Sequence, residues 1–135
     1  MTPTTSARMR AALCFFLTLA VGVVSRKVHV GWALWDKSLG DVLYTVLMYF
    51  GLGVVWPRSD PRARAFVAFA ICIALELFQA TGIPIALAQR RPWVHWILGG
   101  AFDWADIACY TLAGAILWAL GHCQSRNRRQ IPVQP

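Results

Sequence analysis

Long apolar runs separated by short polar and basic stretches give this chain its pattern. The uncharged runs are Ala11–Ser25, Val42–Pro57, Ala65–Leu75 and Ile107–Gly121. Runs of this kind, bounded by charge and by helix-stopping residues, predict four membrane-spanning helices. The first span is expected over Ala11–Ser25, between Arg8 and Arg10 on one side and Arg26-Lys27 on the other. A basic start, a short apolar core and small residues near Ala20 and Gly22 also have the shape of a cleavable secretory signal. With no Ala-x-Ala site present, a retained span is the favoured reading. Val28–Lys37 reads as a loop whose Trp32 and Trp35 suit a membrane interface.

Ser38 then reads as an N-cap with Asp41 at the capping-box position, opening a second span that runs from Leu39 to about Trp56. Asp60-Pro61 is a helix start, with Asp as N-cap and proline at the first helical position. The third span should continue to about Ala80, where Thr81-Gly82 and Pro84 end it. Ile85–Phe102 is apolar but too short to cross, and reads as an interfacial or re-entrant segment with Trp93 and Trp96 at headgroup depth. Asp103 is expected to cap a fourth span, about Trp104–Gly121, with Asp106 at its capping-box position. The fold class is therefore all-α: one four-helix membrane bundle over residues 11–122. A short cytoplasmic segment, 1–10, precedes it and a basic, disordered tail, 123–135, follows.

Composition agrees. Of 135 residues, 58% are hydrophobic and 14% charged, against about 25% charged in a soluble domain. The net charge of +7 raises nucleic acid as a partner, but the basic residues lie between and beyond the apolar runs with no nucleic-acid motif among them. That arrangement is the one produced by loop charges facing lipid headgroups, so nucleic acid is excluded. Cys14, Cys72, Cys109 and Cys123 lie in or beside apolar runs without paired metal-ligand spacing, so they read as small hydrophobes and no metal or cofactor is expected. Eight basic residues fall in the termini and second loop (Arg8, Arg10, Arg58, Arg62, Arg64, Arg126, Arg128 and Arg129). Five fall in the first and third loops (Arg26, Lys27, Lys37, Arg90 and Arg91). The positive-inside bias then places both termini in the cytoplasm.

Candidate chemistry sits where carboxylates interrupt the apolar pattern. An acid at the centre of a membrane helix costs about 2.5–3.5 kcal/mol, so it needs an interfacial position or a partner. With four spans, Asp36, Asp41, Glu76, Asp103 and Asp106 all fall on one half of the bundle, and Asp60 stands on the other. Helical spacing puts Cys72, Glu76 and Gln79 on one stripe and Asp103, Asp106, Tyr110, Ala113 and Gly114 on another. Small residues on the second stripe permit close helix approach. Lys37, Arg90, Arg91 and His95 are the cationic or titratable groups expected at the same end. Asp41, Asp103 and Asp106 have a plain alternative as helix caps. Glu76 lies near a helix C-terminus, where the dipole disfavours an anion, and has no such alternative.

These residues carry a resemblance. Ser25-Arg26-Lys27, Lys37-x-x-Gly40-Asp41, Met48-Tyr49-Phe50, Glu76-x-x-Gln79, the Gly99–Asp106 stretch, and Tyr110 with Gly114 resemble a small bacterial integral-membrane family, the domain of unknown function 2809 family. The resemblance implies a bacterial inner-membrane location. That family in turn looks like a shorter relative of the VanZ-like proteins, which share a Glu-x-x-Gln helix and acids opening a later one. VanZ-like members are associated with resistance to lipoglycopeptide antibiotics of the teicoplanin type, which makes an amphipathic antibiotic a second kind of partner. They commonly carry a histidine in an early helix and an asparagine in the last. Here the last helix holds Cys109 and Tyr110, and the second span has no histidine.

Four functions compete. The first is binding of a polar lipid headgroup or lipid-linked envelope precursor, with Lys37, Arg90 and Arg91 on phosphate. In that reading Asp41, Glu76, Gln79, Asp103, Asp106 and Tyr110 meet sugar or amine groups. The second is a membrane-embedded enzyme with Glu76 or Asp106 as general base. A third, ion-coupled transport, requires a homo-oligomer because one copy has no inverted repeat. In the fourth the acids serve structure alone. Binding is the preferred reading.

Overall fold

A computed structural model of the chain describes residues 3–28, 31, 33–91, 93–98 and 101–130, with residues 3, 33–37, 95, 96, 98 and 126–130 described by backbone alone. The helices are α1 (Pro3–Lys27), α2 (Ala33–Val55), α3 (Pro61–Ala80), α4 (Ile83–Arg90), α5 (Trp93–Leu98) and α6 (Trp104–Gln130). α1, α2, α3 and α6 are each long and apolar enough to cross a membrane. At 20 to 27 residues they reach about 30–40 Å, enough for a hydrocarbon core of about 30 Å. The protein is an all-helical, multi-pass membrane protein.

Several boundaries differ from the sequence expectation. α2 begins at Ala33, so Ser38 is not an N-cap and Asp41 is not at a capping-box position. Asp41 lies eight residues inside the helix, about 12 Å from its start. Ala33–Lys37, expected as loop, is helical because alanine, leucine and lysine favour helix and nothing in the stretch stops one. α1 begins at Pro3 and α6 runs on to Gln130, so residues expected as a polar segment and a disordered tail carry helix. Trp32 lies outside the described residues, as do the side chains of Trp35, Asp36, Lys37, His95 and Trp96.

The third helix starts where its sequence signal stood. Asp60 is extended (φ −60°, ψ 131°) and its carboxylate accepts from the Arg62 amide at 3.3 Å. The helix ends at Thr81. Gly82 follows at φ +73°, a left-handed turn that glycine adopts without steric cost. That turn opens α4 rather than a loop, with Pro84 fully buried beneath it.

Glycine contacts fix the pairing of the long helices. A Cβ on Gly121 would lie 3.1 Å from Pro61, and one on Gly114 would lie 3.1 Å from Phe69. α3 and α6 are thus antiparallel and close, as small residues in a membrane interface permit. A Cβ on Gly51 would meet Phe15 at 3.4 Å and one on Gly40 would meet Arg26 at 3.7 Å, which makes α1 antiparallel to α2. Helices α2, α3 and α6 pack mutually, and α1 docks on α2. Among the described residues of α1, Ala11 alone is buried, while Leu13, Phe16, Leu17, Val21 and Val24 face outward. The interior inverts the usual order: Glu76, Thr45, Pro84 and Cys72 are the largest fully buried side chains. A bundle whose solvent is lipid has no reason to hide apolar side chains, and strong reason to enclose polar ones.

Candidate functional site

One end of the α2–α3–α6 trio encloses a polar cluster. α3 turns Cys72, Glu76 and Gln79 inward along one stripe. α6 contributes Asp106 and Tyr110, and α2 contributes Thr45. Glu76 is 0% exposed, Gln79 and Asp106 are each 8% exposed, and Tyr110 is 7% exposed. Asp41, Glu76, Asp106 and Cys72 all lie within electrostatic reach of the Tyr110 hydroxyl. Carboxylates from three helices thus act on one phenol. The Cys72 thiol shares a hydrogen bond with the Thr45 hydroxyl, and that hydroxyl also donates to the Asp41 carbonyl at 3.4 Å. Among the described residues no trio of His, Cys, Asp or Glu is placed to hold a metal ion. The four cysteines are free thiols.

Glu76 does something unforeseen. Its Oε1 accepts a 2.7 Å hydrogen bond from the backbone amide of Asp103, the residue that opens α6. Asp103 in turn accepts from the Ala105 amide through Oδ1 at 2.9 Å, the expected N-cap bond. In a capping box the acid three residues on would reach back to the Asp103 amide. Here that amide is given to Glu76, so Asp106 is not part of a capping box and is turned into the cluster instead. The helix dipole at the start of α6 suits the anion, which answers how Glu76 tolerates its place near the end of α3.

The segment between α3 and α6 lies over this end. Val94 is 7% exposed, and the Tyr44 hydroxyl of α2 approaches the Ile97 carbonyl of α5 at 3.5 Å. α4 packs on α3 and α5 packs on α4. Arg90 and Arg91, at the end of α4, are exposed. Neither is hydrogen-bonded or ion-paired with the buried acids among the described residues. The acid and arginine parts of the expected site are thus neighbours in the fold without being one contact network. Lys37 lies on α2 one turn before Asp41, with its side chain outside the described residues.

Sequence reasoning missed Thr45 and Arg26. Thr45 follows Asp41 by four residues, a spacing that places it on the same helix stripe. Arg26 comes from the end of α1 and lies beside Gly40, the residue before Asp41; nothing in its own run signalled that reach.

A family model described as "Protein of unknown function (DUF2809)" matches residues 30–115. That is well over half of the chain. The chain belongs to the DUF2809 family. No curated protein matches it, and no solved structure does. The DUF2809 match takes in α2, α3, α4, α5 and the first turns of α6. Every residue of the polar cluster lies inside it, and α1 lies outside.

Proposed function

We propose that this DUF2809 member is a bacterial inner-membrane protein, with both termini cytoplasmic, that binds a polar lipid headgroup or lipid-linked envelope precursor in the outer leaflet. The observation that carries the reading is the burial of Glu76, Gln79, Asp106 and Tyr110 within the membrane-spanning body. Carboxylates and a phenol offer hydrogen bonds to the hydroxyls of a sugar or to an amine. Arg90 and Arg91 stand exposed at the same end, where a headgroup phosphate would meet them. The α4–α5 segment supports the reading by carrying these arginines over the acid end.

A second reading has an observation of its own. The bond from the Asp103 amide to Glu76 is a structural fastening, and the cluster would then serve only to set helix register. Native mass spectrometry in mild detergent separates the two. The glutamine in Glu76→Gln keeps a carbonyl able to accept from Asp103 while losing the charge. Headgroup binding predicts a discrete lipid adduct on the wild type that weakens in Glu76→Gln and in Arg90→Gln/Arg91→Gln. The same adduct on all three proteins, or on none, would leave the structural reading.

A further inference from the structure

The opposite end of the bundle holds a second polar recess, of opposite charge. Glu76 and Arg64 are twelve residues apart on α3, about 18 Å along the axis. Around Arg64 a cleft of about 970 Å³ opens between the start of α1, the turn joining α2 to α3, and the last turns of α6. Arg10, Arg58 and Arg64 line it with the hydroxyls of Thr4, Ser6 and Ser59, and no carboxylate lines it among the described residues.

The arginines are held by neutral groups. Arg64 donates through Nε to Ser59 Oγ at 3.0 Å and through Nη2 to the Ser59 carbonyl at 3.2 Å. Its guanidinium carbon lies 5.3 Å from the centre of the Tyr49 ring. These contacts fix the planar fork through neutral partners. A Cβ on Gly53 would come within 2.8 Å of Arg64 Nη1, so the glycine makes the room in which that nitrogen sits. Arg58 reaches across from the turn and donates to Thr4 Oγ1 at 3.3 Å. Asp60, the acid nearest in sequence, is engaged with Arg62 at 3.3 Å and caps α3. The first turn of α1 carries no acid.

We infer that this cleft is a phosphate-binding site, with Arg10, Arg58 and Arg64 as its anion ligands. Three fork-shaped donors in an acid-free recess match the oxygens of a phosphate group. The phosphate comes either from an acidic phospholipid of the leaflet at this end or from a soluble phosphate compound. The site is independent of the acid cluster and uses none of its residues.

The test uses the full chain in detergent micelles doped with phosphatidylglycerol or, separately, phosphatidylcholine, read by native mass spectrometry. The double variant Arg10→Gln/Arg58→Gln removes two exposed ligands and leaves the Arg64 anchorage. Phosphatidylglycerol affinity should fall about tenfold or more, as expected for lost charge-assisted bonds, with the melting temperature unchanged. Arg62→Gln removes one charge from the same end but outside the cleft and should leave affinity unchanged. Gly53→Ala, which alters no charge, should weaken binding by displacing Arg64. Millimolar inorganic phosphate that displaces the lipid assigns a soluble phosphate as ligand, and failure to displace it assigns the headgroup. Equal losses in Arg62→Gln and the double variant, or no loss in either, would overturn the site. Because Glu76→Gln does not touch this cleft, an adduct sensitive to it reports the acid end separately.

Discussion

Glu76 is the residue through which two helices are joined. Its carboxylate takes the first amide of α6 at 2.7 Å, and a buried amide left without an acceptor costs about 1–3 kcal/mol. Glu76→Ala should therefore destabilise the protein by about that amount, and Glu76→Gln by clearly less, in thermal unfolding followed in detergent. Equal losses would show that the charge, rather than the acceptor, is what α6 requires. Thr45→Val makes a similar case on α2. It removes the hydroxyl bonded to Cys72 with little change of volume and should cost about 0.5–1.5 kcal/mol by the same measurement. The sequence pointed to Glu76 through its cost in an apolar run, but not to its partner. Asp103 lies 27 residues on, and a backbone amide carries no mark of its identity in the sequence.

Among the elements, α3 was readable at both ends because Asp60-Pro61 and Thr81-Gly82 are strong local stops. α2 was not, because Ser38-x-x-Asp41 imitates a capping box inside a helix that began five residues earlier. A local motif fixes a boundary only when the preceding residues cannot continue the helix, and Ala33–Lys37 can. The small-residue stripe of α6 was legible by spacing, and the glycines of the long helices separate into two kinds. At Gly121 a Cβ would lie 3.2 Å from the Arg62 amide nitrogen, and backbone has little freedom to yield. Gly121→Ala should cost about 1–3 kcal/mol. Gly22, on α1, has nothing within 4 Å of its Cβ position. Gly22→Ala should be neutral or stabilise by about 0.5–1 kcal/mol. The two melting temperatures, measured side by side in one detergent, check both expectations.

At the scale of the whole molecule, the polar recesses at the two ends of the bundle differ in sign. Carboxylates gather under α4 and α5, and arginines gather where α1, α3 and α6 have their other ends. The alternation of apolar runs made this separation legible, since an even number of spans returns the chain to the side on which it began. The cleft itself was not, because it is built from four places in the chain that no local pattern links. The topology has a direct check. Cys123 and Thr81 are both exposed and lie at opposite ends of the bundle. In oriented vesicles, a membrane-impermeant maleimide should label Cys123 from one face and an introduced Thr81→Cys from the other. Labelling of both from one face would refute the four-span arrangement.

The fastening between α3 and α6 also bears on how the chain is made. Synthesis delivers α3 to the membrane well before the Asp103 amide exists, so Glu76 must enter the bilayer ahead of the group that receives it. The bond that joins the two helices is thus among the last to form, since its donor is made 27 residues after its acceptor.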